Sequence, residues 1–206
     1  MSGFVHRLTA LCLPLTFFAA GGGMLWLYRV RSAEGGFYER MNSHSSDWVG
    51  SHLVLLASAI LIGPAAVALW RAVGEGRGST LAGIGLLVAV PGAFLLAGQY
   101  AIDFVMPIIA DVGGEAHEVH RRFFTTEPLN TLFYGMSALS SLALLLMSIG
   151  VVRSGKAGRG EAIFMMAAWA AVILGNLVHP LMQRVALTLL GCAYLPTARR
   201  LMFPER

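Results

Sequence analysis

Five times in 206 residues the chain runs apolar for close to the length that crosses a bilayer, and a sixth, shorter run follows. This repetition constrains the fold more than any other feature, because about 20 predominantly apolar residues make one transmembrane helix. The five runs cover 8–28, 49–70, 81–109, 129–152 and 162–178, and the sixth covers 181–198. The sequence is 56% hydrophobic and 13% charged, where ordinary globular domains carry about a quarter charged residues. The expected fold class is all-α: a single transmembrane domain, 1–206, built as a polytopic helical bundle of six transmembrane helices. A bacterial-type plasma (inner) membrane is the expected location.

The net charge of +4 does not point to nucleic acid. Its basic residues are scattered through short loops and form no basic helix or aromatic-interleaved patch that tracks a phosphate backbone. Cys12 and Cys192 each lie inside an apolar run, far from any metal or redox spacing. The N-terminus resembles a signal peptide, with Arg7 ahead of Leu8 to Phe18 and small residues behind. The apolar run resumes at once through Met24 to Tyr28, so its length favours a retained first span over a cleaved leader.

Lys and Arg collect in cytoplasmic loops. With the N-terminus inside, the inner loops hold Arg71, Arg77, Arg153, Lys156 and Arg159 and are short and almost purely basic, whereas the outer loops also carry most of the acids. Both termini are therefore expected in the cytoplasm. Asp47 or Ser46 is the expected N-cap of the second helix, since a side-chain oxygen there accepts from an otherwise unpaired amide. Trp48 and Trp70 are expected at the two headgroup levels. Pro180 marks a tight hairpin, because one helix from Ala162 to Arg200 would reach about 58 Å, well beyond a bilayer.

Against this apolar background, the stretch from Gln99 to His120 carries the chemistry. Asp103 lies inside the third run, where an ionisable side chain costs about 3 kcal/mol or more and marks a functional site by default. Gln99 is four residues earlier and shares its helix face. Asn130, Tyr134, Ser137 and Ser141 form a polar stripe on the fourth run, and Asn176, His179 and Gln183 another near the hairpin. With this topology His52, His117, His120 and His179 face the outer side, as does Asp103.

The expected site is an outward-facing pocket with Asp103, His52 and His179 as candidate catalytic residues and Gln99, Asn130, Tyr134 and Asn176 as its lining. His117 and His120 are three apart in HEVH, not the four apart that a zinc-protease helix needs, so that motif fails. EAHEVHRRF instead reads as a short interfacial helix, a lid over the pocket. Zinc or another divalent metal held by His52, His179, His117 and His120 is one expectation. Haem on His52 and His179, or a quinone, ranks below it. A small-molecule or lipid ligand in a pocket protein, enzymatic or not, is the leading functional expectation. A non-catalytic accessory subunit or small transporter is the alternative. Nucleic acid is excluded as a partner, and partner subunits are not identified. No phosphate-binding loop, nucleophile elbow or dinucleotide fingerprint is present.

Overall fold

A computed structural model of the chain describes residues 3–203, apart from the Asn176 side chain. Every regular element among the described residues is helical. The long helices are α1 (Gly3–Arg31), α3 (Ser45–Val73), α4 (Ser79–Asp103), α7 (Leu139–Arg153), α8 (Arg159–Val178) and α9 (Pro180–Met202). The short ones are α2 (Phe37–Ser43), α5 (Met106–Val112) and α6 (Glu115–Thr125). Among the described residues, four segments are long and apolar enough to cross a membrane: α1, α3, Ser79–Val112 and Thr131–Arg153. The chain is thus an all-helical protein with the makings of a membrane protein.

The long helices close into a ring. Contacts run from α1 to α3, α3 to α4, α4 to α7, more sparsely α7 to α8, then α8 to α9 and α9 back to α1. Small residues let the backbones approach. A Cβ on Gly21 would collide with Thr188 Oγ1, and one on Gly92 would stand 2.6 Å from the Ser140 nitrogen. This is the small-residue packing expected where lipid, not water, surrounds helices. Large apolar side chains point outward, with Leu87, Phe94 and Leu177 exposed by 78%, 75% and 80%. Such faces suit hydrocarbon.

One end of the ring is filled and the other is capped. The filled end holds the main core, in which Leu13, Leu69, Ala143, Met147, Leu190 and Tyr194 are buried. Inside it, Ser148, Trp169 and Tyr194 form a polar knot. Ser148 Oγ donates to the Leu144 carbonyl at 2.6 Å, and Trp169 Nε1 lies 3.0 Å from both Ser148 Oγ and Tyr194 OH. Ser148 and Tyr194 hydroxyls bond to each other. At the same end Glu161 of α8 holds Arg200 of α9, Oε2 to Nη1 2.6 Å. The other end carries α2, α5 and α6, which pack on one another over the ring.

Three local expectations are corrected. The second long helix starts at Ser45 behind His44, with no side-chain cap; Asp47 Oδ1 instead accepts from Trp26 Nε1 at 2.9 Å, tying α3 to α1. Trp48 is buried, not spread at an interface, and its indole is used inside the fold. The third run is not one helix, since α4 ends at Asp103 and α5 begins at Met106. The hairpin at His179–Pro180 and a short helix over the HEVH stretch are both found.

Candidate functional site

Asp103 is the last residue of α4, and Pro107 explains why the helix stops there. Proline has no N–H, so the carbonyl four residues earlier loses its helical donor. That carbonyl belongs to Asp103 itself. Trp48 of α3 supplies the missing donor, with Nε1 2.8 Å from the Asp103 backbone oxygen. The break thereby fixes the acid where α3 passes α4.

A second irregularity meets it. The fourth run enters α7 through a π turn, Thr131–Gly135, and a 3₁₀ turn, Met136–Ala138. Wide turns of this kind recur at functional sites because they re-aim a side chain. Here the re-aimed residue is Tyr134, whose hydroxyl donates to Asp103 Oδ1 at 3.1 Å. The other carboxylate oxygen, Oδ2, stands 3.3 Å from His52 Nε2. Asp103 is 8% exposed and His52 1%, so both sit out of bulk solvent.

Hydrogen-bond accounting fixes the proton inventory. His52 Nδ1 is 2.7 Å from the Trp48 carbonyl, which can only accept, so Nδ1 carries hydrogen. Nε2 then faces Oδ2 at 3.3 Å, an ion pair when the ring carries a second proton. An imidazole facing a carboxyl out of bulk solvent is the arrangement that general acid–base chemistry or proton-linked binding requires.

The acid opens onto a cleft of about 560 Å³, lined by Arg31, Arg40, Gln99, His120, Phe124 and Tyr134 among others. Helix α6 closes one side. Tyr38 of α2 holds it, its hydroxyl 2.8 Å from His120 Nδ1 and its ring stacked on His117 at 3.5 Å between centroids. The Nε2 atoms of His117 and His120 are buried without a partner among the described residues. Burial holds the His120 imidazole below its ordinary range, with Asp103 pulling it up and His117 pushing it down. On the outer face of α6, Arg121 and Arg122 hold the Glu118 carboxyl down to about 2.

The expected residues therefore divide. His52, Asp103, Tyr134 and Gln99 come together, and His120 joins them from the lid. His117 is engaged with Tyr38. His179 is exposed and caps α9, accepting from the Leu181 amide at 3.1 Å through Nδ1, with its ring against Tyr28. Asn130 is half-buried but lines neither the cleft nor the chamber described below. The Asn176 side chain lies outside the described residues.

Among the described residues no three His, Cys, Asp or Glu side chains stand together as a metal site, so the four histidines do not assemble as a shared ligand set. Both nitrogens of His52 are engaged, and an axial bond to haem iron would have to displace Asp103 or the Trp48 carbonyl. The donor set fits neither group. Sequence reasoning missed Arg31, Arg40, Tyr38 and the inward role of Trp48. The four-residue spacing from Asp103 to Pro107 was the available signal for a freed carbonyl. The chain matches no family model, no curated protein and no solved structure.

Proposed function

We propose that the chain is a six-span protein of a bacterial-type plasma membrane, with α8 and α9 as the fifth and sixth spans and both termini in the cytoplasm. In this reading the capped end faces outward, and the cleft beneath α6 binds a small molecule or lipid and exchanges a proton with it through Asp103 and His52. The observation that carries the reading is the His52–Asp103–Tyr134 cluster, placed by two interrupted helices at the edge of a cleft. Holding an acid there costs stability that a purely structural span would not spend. Support for the orientation comes from the basic loops at the opposite end, which include Arg77, Arg153 and Lys156.

Thiol labelling on intact cells tests the reading. In a background lacking Cys12 and Cys192, Phe124→Cys places a thiol on the cleft and Ser154→Cys places one in the loop between α7 and α8. A membrane-impermeant maleimide added outside is expected to label the first and to reach the second only after permeabilisation. Labelling at Ser154→Cys alone would invert the protein and sink the outward cleft.

A further inference from the structure

The cleft has a neighbour. A second chamber of about 260 Å³ lies inside the helix ring, and Gln99 and Tyr134 line both spaces. All six long helices or their lead-in turns contribute to it, through residues such as Phe17, Ile62, Leu96, Leu144, Trp169 and Leu187. Several of its hydroxyls are turned to backbone: Ser58 Oγ donates to the Thr16 carbonyl at 2.9 Å and Ser137 Oγ to the Tyr134 carbonyl at 3.0 Å. What such a chamber offers a ligand is a mostly apolar wall, with Gln99, Gln183, Tyr100 and Ser141 as polar members.

The outer space offers charge. Arg31 and Arg40 line it, and neither makes an ion pair among the described residues. Arg40 Nη1 is fixed on the Arg31 carbonyl at 2.7 Å, and the Arg31 guanidinium stands 6.0 Å over the Trp48 ring. The one acid of the cleft, Asp103, is already taken by His52 and Tyr134. Arg184 adds a third cation at this end. It is 8% exposed, rests 4.7 Å over the Tyr28 ring, and has Nε and Nη1 without a partner, while the cation acting on it is Arg31, of like sign. A cation buried without counter-charge costs several kcal/mol, and of the three Arg184 is the buried one, Arg40 being half-buried and Arg31 exposed. Arg184 lines neither space, so an anion in the cleft would meet Arg31 and Arg40, the two arginines that line it.

Resting on the cleft reading above, we propose that the ligand is a single-chain anionic amphiphile. Its acidic head sits between Arg31 and Arg40, and its tail passes Gln99 and Tyr134 into the inner chamber. An apolar cavity of about 150 Å³ takes a benzene, so by proportion this chamber takes roughly ten carbons of one chain. The polar knot and the packed core behind Trp169 set the limit on tail length.

Decyl phosphate brominated at its tail end tests this, with the full chain in nanodiscs of phosphatidylcholine. Bromine in the chamber is expected to quench Trp169 fluorescence, read as the difference from Trp169→Phe. Arg31→Gln with Arg40→Gln should weaken binding by about tenfold or more, since each guanidinium would make a charge-assisted hydrogen bond. Leu187→Trp, and independently Leu144→Phe, should fill the chamber and abolish the quench. Equal quenching by brominated decanol would overturn the anionic head, and inorganic phosphate binding as tightly as decyl phosphate would overturn the tail. If Phe124→Cys labels from outside yet decyl phosphate does not bind, the ligand class alone fails. If the thiol does not label, the cleft reading fails first.

Discussion

Two polar clusters lie within this apolar bundle, and they are built on opposite principles. In the knot of Ser148, Trp169 and Tyr194, three donor groups meet acceptors within the cluster or on the Leu144 carbonyl, and all three residues stand on regular helix. Nothing is left over. In the cleft, Asp103 and Tyr134 of the cluster stand on a helix end and a π turn, Asp103 faces His52 at 3.3 Å, and an unpartnered histidine nitrogen lies beside it. A buried polar group is thus not a functional signal by itself. Closed accounting marks architecture, and open accounting at an interrupted helix marks a site.

The sharpest way to break this contrast is to damage the knot. Tyr194 is fully buried and stacks on Phe17 at 5.0 Å. Tyr194→Ala should cost about 3–5 kcal/mol, the usual loss for emptying a large aromatic site. Tyr194→Phe keeps the volume and should cost only about 1 kcal/mol, the net worth of one hydrogen bond. Denaturation of the two variants in the same detergent measures the gap. Near-equal losses would mean that hydrogen bonding, not packing, holds the filled end together.

The cleft should answer differently. Asp103→Ala leaves the Tyr134 hydroxyl and His52 Nε2 without a partner, at a cost of about 1–3 kcal/mol. Asp103→Asn still accepts from Tyr134, and its amide can donate to Nε2, so stability should return to within about 1 kcal/mol of the parent. It does so with the carboxyl gone. Denaturation of the pair reports the difference; a destabilisation by Asn as large as that by Ala would show that the carboxyl itself, and not the donor–acceptor pattern, holds α3, α4 and the entry to α7 together.

How far these features were legible in the sequence follows from their range. Helical class, the hairpin at Pro180 and the α6 helix are set by local apolar runs and breakers, which sequence displays directly. Asp103 stood out because its cost is local to its own helix. Its partners were half legible: His52 and Tyr134 could be placed near the same depth, but their approach depends on a helix break and a π turn that the apolar pattern of 81–109 and 129–152 conceals. His179 shows the converse. It shares the expected depth yet is spent on capping α9, because a backbone amide two residues on is closer than any side-chain site. The knot was invisible, since one Ser, one Trp and one Tyr in three apolar runs look like ordinary span residues until the ring brings them together.

The smallest expected effect separates the two ends by pH. Burial lowers the His120 imidazole below its ordinary 6.5. The docked helix therefore binds protons less readily than the undocked one, and stability rises with pH wherever the undocked state holds more protons. The contribution of His120 is present above 6.5 and is lost as pH falls through 6.5 toward the folded value. Acidification should loosen α6 from Tyr38 while the knot, which contains no histidine or carboxylate, stays as it was. Amide-exchange protection over 115–125 is expected to fall between about pH 7.5 and pH 5 after correction for intrinsic rates, with 186–198 unchanged. His120→Gln should remove most of the α6 response. A loss of protection shared equally by both regions would mean that the lid and the filled end open as one unit, and the division between a closed architecture and an open site would no longer describe the dynamics of this bundle.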